Sequence, residues 1–269
     1  MAPLARQPNR IWGRVGLKNK LARLPFQHHG SRLGVLLFLV LGIAVTTGCA
    51  TVSGPSAGDP LEPLNRGVYT FNDAVDRAVL KPVATVYRDL TPKPVRSGIR
   101  NFFGNLQDLW STANNVLQFK GAAAGDSLAR FGVNTFIGLG GIFDIATDLG
   151  IERHPEDFGQ TLGYWGMGPG PYLVLPLLGP STLRDTLASP VDRMGDLSQS
   201  IGDPTAHNSL KVLSLVETRA GLLRAGSLIE GAALDPYSFT RDVFLQRRRD
   251  EVFDGEPPDE AAASPSEAP

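Results

Sequence analysis

The 269-residue sequence is poor in much that would announce a chemistry. It has one cysteine, which excludes a disulfide framework within the chain. Only His154 and His207 follow that cysteine, a weak basis for a metal centre or a catalytic triad. There is no Gly-x-Ser-x-Gly, no His-Glu-x-x-His and no phosphate-cradling loop ending in Lys-Ser or Lys-Thr. The run from Gly138 to Phe143 fails the dinucleotide fingerprint, and Asp157-Phe158-Gly159 matches the kinase magnesium triplet by letters alone. No catalytic residue and no metal ligand is therefore nominated, and no cofactor. Nothing alternates for long with period two, so strands are at most short. The formal net charge of -1 points away from nucleic acid as a partner.

That small net charge is a sum of unlike parts. Residues 1–48 hold seven Lys and Arg and no acid; the first acid of the chain is Asp59. Residues 33–45 are thirteen apolar positions, short of the roughly 20 that cross a bilayer. A basic stretch, a short apolar stretch and Gly48 before Cys49 make a signal peptide over 1–48. The cysteine sits where a bacterial lipobox places the residue that is cleaved, acylated and left at the new N-terminus. Cys49 is thus the expected lipidation site, carrying covalent acyl and diacylglycerol groups, and the small residues 50–58 form a tether. Residues 59–249 hold 20 acids against 19 bases and constitute the folded domain. Residues 250–269 hold seven acids, no base and much Pro and Ala, which predicts a disordered acidic tail.

Within the domain the pattern is helical. Val68, Phe71, Val75 and Val79 recur at helical spacing, with Asp59 and Asn65 as helix-start chemistry and Lys81-Pro82 as a stop. A second helix starts near Val95, with Phe102, Leu106, Trp110 and Leu117 on one side and Asn101, Asn105, Asn114, Asn115 and Gln118 flanking it. A third covers 125–137, another 209–231, and Asp235-Pro236 caps a last one that ends in three arginines. Gly and Pro make about 19% of the chain, against about 12% on average, and concentrate between 138 and 190. The apolar run in that stretch is either a buried extended segment or a loop in a lipid interface. Its candidate interfacial residues are Trp165, Tyr172, Leu173, Val174, Leu175, Leu177 and Leu178.

A series of motifs then carries a likeness. Asp59-Pro60-Leu61-Glu62-Pro63-Leu64-Asn65-Arg66, Asn101-Phe102-Phe103-Gly104-Asn105-Leu106, Glu156-Asp157-Phe158-Gly159-Gln160-Thr161-Leu162-Gly163, Gly179-Pro180-Ser181-Thr182-Leu183-Arg184-Asp185 and Glu217-Thr218-Arg219-Ala220 closely resemble the MlaA (VacJ) phospholipid-binding lipoproteins of Gram-negative bacteria. The resemblance spans about 59–245. It implies a mainly α fold with few or no strands, a helical ring embedded in the inner leaflet of the outer membrane around an amphipathic channel. It implies a periplasm-facing, lipid-anchored component that removes mislocalised phospholipids from the outer leaflet and passes them to a soluble periplasmic carrier, beside a trimeric porin, without acting as an enzyme. Ala50 after the cysteine agrees with outer-membrane sorting. The other functions kept open are a structural lipoprotein that scaffolds a porin and an envelope phospholipase. A head group moving through apolar surroundings needs polar partners. Asn65, Arg66, Arg184 and Asp185 are the candidates for that lining, although each also sits where it would cap a helix or pair.

Overall fold

In the computed structural model, residues 59–200 and 202–258 are described. The signal segment, Cys49, the tether and residues 259–269 lie outside the described residues. The described chain is mainly helical. Helix α1 spans Glu62–Val75, α2 Lys81–Leu90, α3 Lys93–Leu117 and α4 Gly121–Phe136. The short α5 (Ile145–Asp148) and α6 (Phe158–Tyr164) precede an antiparallel hairpin of β1 (Tyr172–Leu175) and β2 (Gly179–Thr182), which pairs Tyr172 with Thr182 and Leu175 with Gly179. Then follow α7 (Leu183–Gly195), α8 (Pro204–Ala232) and α9 (Pro236–Val252). Helix α3 packs along α4, α2 along α8, and α6 against α7.

Local chemistry accounts for most boundaries. Asp59 accepts from the Leu61 amide at 3.2 Å as the chain turns into α1. Asp157, Thr182 and Asp235 accept from first-turn amides at the starts of α6, α7 and α9. Thr91, lying before Pro92, is extended, and the chain breaks there. Lys81-Pro82, by contrast, does not stop the first helix. Residues Asp76–Leu80 form a π-helical turn in which the Lys81 amide reaches back five residues to the Asp76 carbonyl, and helix resumes through Pro82 to Leu90. The wider turn makes room for a proline ring that would clash with the carbonyl four residues back in a regular helix. Asn65 is likewise not a helix start: it lies inside α1, buried.

Two further expectations change. The tail does not begin at Asp250, because α9 continues to Val252, which is buried. Asp254 pairs with Lys120 at 2.7 Å, so residues 250–258 belong to the folded body. The larger change is polarity. The flanking asparagines of α3 turn inward: Asn105, Asp108, Ser111, Asn114, Asn115 and Gln118 are buried. Apolar positions turn outward, with Phe71 51% and Val79 54% exposed, and Val83, Val86 and Leu90 continue that stripe along α2. Phe119, Phe136, Ile137 and Leu139 are also exposed. Among the described residues no helix is long and apolar enough to cross a membrane.

Ion pairs and amides tie this polar interior together. Arg130 on α4 reaches Asp144 at 2.7 Å and Asp108 on α3 at 3.6 Å, and Arg153 meets Asp108 at 3.1 Å. Asn114 on α3 accepts from Thr161 on α6, and Gln118 donates to Thr161 and Glu156. Arg248 on α9 forks onto Asp157 at 2.6 and 2.7 Å and also reaches Asp185 at 3.0 Å, joining α6, α7 and α9. A Cβ on Gly159 would stand 2.5 Å from an Asp185 oxygen and 2.6 Å from Arg248, so a side chain there would displace the ends of this ion pair.

Candidate functional site

The residues nominated from sequence serve as ties. Asn65 donates to Asp59 at 3.1 Å and to the Tyr172 carbonyl at 2.9 Å, and accepts from the Val174 amide at 2.9 Å, so its amide locks β1 onto α1. Arg66, half-exposed, pairs with Asp235 at 2.6 Å and Glu62 at 2.8 Å and lies over the Tyr237 ring. Arg184 is buried against Asp185 at 2.9 Å, and Asp185 is held by Arg248. The structure brings Asn65 and Arg66 together at one place and Arg184 and Asp185 at another, and none of the four lines either of the two cavities described below. Each of the four is already paired with another group of the protein.

The candidate interfacial loop divides in the same way. Tyr172 and Val174 are buried in β1, where the period of two sends them to the core face beside Tyr237. Leu173 and Leu175 lie on the other face, partly covered. Leu177 and Leu178, at the hairpin tip, are 62% and 65% exposed, and Trp165 is exposed while donating to the Leu117 carbonyl at 3.2 Å. Tyr172 and Val174 are therefore corrected to core residues, and the exposed apolar part is the tip.

A cavity of about 880 Å³ opens between α3, α8 and the end of α7, within the size range of small-molecule sites. On α8, Lys211, Ser214, Thr218 and Gly221 follow one another at spacings of three and four and so share a face. Across from them α3 contributes Arg100, Phe103, Gln107 and Trp110. Leu210, Leu215 and Leu222 supply apolar wall. At one end the Trp110 indole donates to Asp192 at 2.9 Å, and the Phe158 amide donates to the same oxygen at 2.8 Å. Burial pushes the Asp192 carboxyl up from its ordinary value, against the pull of those two bonds. At the other end Arg100 faces Glu217 at 3.8 Å. Arg100 and Lys211 give the cavity exposed cations beside aromatic and aliphatic surface, an arrangement that suits a ligand with an anionic group on an apolar body.

A second cleft of about 950 Å³ is lined by acids including Asp126, Glu152 and Asp254, with Lys120 bound to Glu156 at 3.0 Å and to Asp254. Among the described residues no group of three or more His, Cys, Asp or Glu is placed to hold a metal ion. Sequence reasoning missed Arg100, Trp110, Lys211 and Glu217. The signal that would have found Lys211 is a polar stripe, Lys211-Ser214-Thr218, in a helix otherwise dominated by apolar residues.

Comparison with known proteins bears on this geometry. The family model described as MlaA lipoprotein matches residues 57–251. The intermembrane phospholipid transport system lipoprotein MlaA of Escherichia coli (strain K12) is 36% identical over 215 residues, covering 78% of this chain and 85% of that protein. The protein of the same name from Haemophilus influenzae is 34% identical over 230 residues, covering 82% and 91%. A structure solved for the structural basis of maintenance of bacterial outer membrane lipid asymmetry superposes with a TM-score of 0.61 at 34% identity, covering 72% of this chain and 98% of that one. The chain belongs to the MlaA lipoprotein family.

Proposed function

We propose that this chain is a lipid-anchored outer-membrane component of intermembrane phospholipid transport, which removes misplaced phospholipids from the outer leaflet and passes them to a soluble periplasmic carrier. The observation that carries this reading is the cavity between α3 and α8, where Arg100 and Lys211 stand beside Phe103, Leu215 and Leu222. The relatives from Escherichia coli and Haemophilus influenzae, named for that transport system, support it. So does the polarity of the fold: apolar faces on α1 and α2 point outward and the ion pairs inward, which suits helices immersed in one leaflet.

The physical task is to move a charged phosphate past apolar surroundings, costly for a bare charge and cheaper where polar partners line the path. Arg100 and Lys211 would take the phosphate, and the aliphatic wall would take the acyl chains. No bond is broken in this scheme, so it asks for no nucleophile, metal or cofactor, and the chain acts as a transporter and not as an enzyme. Lipidation at Cys49, helices ringed about the channel, and a trimeric porin alongside belong to the same proposal.

Ser214 lines the cavity, and Ser214→Trp fills it. Deleting the gene is expected to raise outer-leaflet phospholipid and detergent sensitivity, and the wild-type chain to restore both. Ser214→Trp, present at normal level, is expected to restore neither. Full restoration by Ser214→Trp would show that the cavity is not the path.

A further inference from the structure

The 880 Å³ cavity and the 950 Å³ cleft share one residue. Arg153, in the irregular stretch between α5 and α6, lines both, and among the described residues it alone does so. Helix α9 marks the same border: Arg247 lines the cavity, Glu251 lines the cleft, and the two pair at 3.1 Å. The Arg153 guanidinium is seated on α3. It lies against Gly104, where a Cβ would stand 2.6 Å from one of its nitrogens, and it donates to Asp108, one turn further on, at 3.1 Å. Leaving that seat strands no charge. The Arg153 side chain is 36% exposed, and Asp108 has a second cation within reach. Arg130 Nε lies 3.6 Å from the same Asp108 oxygen, buried and without a hydrogen bond while Arg153 is in place. A buried donor left unsatisfied beside an acceptor that another group holds is one half of a two-state exchange.

We propose that Arg153 is the gate between the cavity and the cleft: a lipid phosphate in the cavity draws its guanidinium off Asp108, Arg130 takes Asp108 over, and the head group passes. The inference rests on the transport reading above and adds the residue that controls the path and the direction of release. A phosphate competes well for the gate. It offers a guanidinium two parallel hydrogen bonds, where Asp108 accepts one from Arg153. The ligand thus prefers the open state to the closed one, which is what moves such an equilibrium. Charge then sets the direction. Arg100 and Lys211 attract a phosphate on the cavity side, whereas Asp126, Glu152 and Asp250 repel one in the cleft. The cavity captures and the cleft releases, and with no lipid present Arg153 returns to Asp108 and closes the way between them.

The test loads the full lipidated protein, purified in detergent, with a phosphatidylglycerol that carries a photoreactive diazirine in its head group. After illumination, mass spectrometry of peptides separates labelling of the cavity wall, around Ser214 on α8, from labelling of the cleft wall, at Gly121–Asp126 on α4. The wild type is expected to be labelled mainly in the cavity. In Arg153→Ala the cleft label is expected to rise about fivefold relative to the cavity label, equivalent to about 1 kcal/mol. A loss of stability alone would not move that ratio. Gly104→Ala keeps the charge and gives α3 a better helix former, yet its methyl group takes the place of the guanidinium, so the ratio is expected to rise there too. A ratio in Arg153→Ala equal to that of the wild type overturns the gate and leaves the transport reading standing. Should Arg153→Ala not fold, an unchanged ratio in Gly104→Ala overturns it in the same way. A cavity wall that takes up no label in any form overturns the transport path as well.

Discussion

The Trp110 ring occupies the space that a side chain on residue 195 would need: a Cβ on Gly195 would stand 2.1 Å from the indole Cδ2. This close approach lets the indole N–H reach Asp192 and shapes one end of the cavity. Gly195→Ala is expected to push the indole off Asp192 and to cost about 1–3 kcal/mol, the usual scale of overpacking. A lower melting temperature and a shifted tryptophan emission would record it. An unchanged emission spectrum would mean that the ring does not rest on Gly195.

Arg248 is the hub that joins α6, α7 and α9 through Asp157 and Asp185. Arg248→Met leaves Asp157 without its cation and Asp185 with Arg184 alone. Breaking a buried pair in this way costs about 3–5 kcal/mol. Arg248→Lys is expected to recover only part of the loss, because an ammonium cannot fork onto both acids. Thermal melts of the two variants against wild type decide it, and equal melting temperatures for the lysine variant and wild type would count against the forked geometry.

The same junction predicts an acid limb. Burial alone would raise the Asp157 carboxyl, but the hydrogen bond and charge of Arg248 outweigh it and hold the carboxyl below its ordinary value of 3.8. A carboxylate depressed in the folded state stabilises it fully above the unfolded value, and that contribution is lost as pH falls through the folded value. Stability is therefore expected to fall as the pH drops below about 4. Asp108 has the opposite sign: burial raises it despite Arg153 and Arg130, so it costs stability at neutral pH, and that cost is relieved on acidification. Melting temperature against pH for wild type and Asp157→Asn separates the two, since only the Asp157 contribution disappears from the variant's acid limb.

Asn72 clamps the hairpin from α1. It donates to the Leu175 carbonyl at 2.9 Å and accepts from the Leu177 amide at 2.8 Å, where the backbone of Leu177 is left-handed with φ of 64°. Asn72→Ala removes both bonds and is expected to free the tip. Hydrogen exchange at Leu177 should accelerate about tenfold or more, as the loss of one to two hydrogen bonds implies. Exchange at the Val174 amide, which donates to Asn65 through a separate bond, should stay slow.

Helix content, the capping at Asp235 and the breakers between 138 and 190 were legible along the chain because they are local. Capping, helical spacing and proline act over three or four residues. The polarity of the core was not. A stripe such as Phe71, Val75, Val79 marks one face of a helix equally well whether that face meets a core or the outside, and periodicity carries no sign. Asn65, Arg66, Arg184 and Asp185 are the sequence's candidates for channel lining, and the partners that tie Asn65, Arg66 and Asp185 into the fold lie far along the chain. Tyr172 and Asp235 are more than a hundred residues from Asn65 and Arg66, and Arg248 is 63 from Asp185.

The sequence by itself determined the elements and the family likeness, because both are written in short runs of residues. Only the tertiary structure decided which face of each helix turns inward, that Arg248 and Asn65 are ties, and that Arg100, Trp110, Lys211 and Glu217 meet around one cavity. That division has a physical cause. Hydrogen bonds and ion pairs reach only a few ångströms, so a polar side chain acquires its role when packing brings a distant partner within that reach.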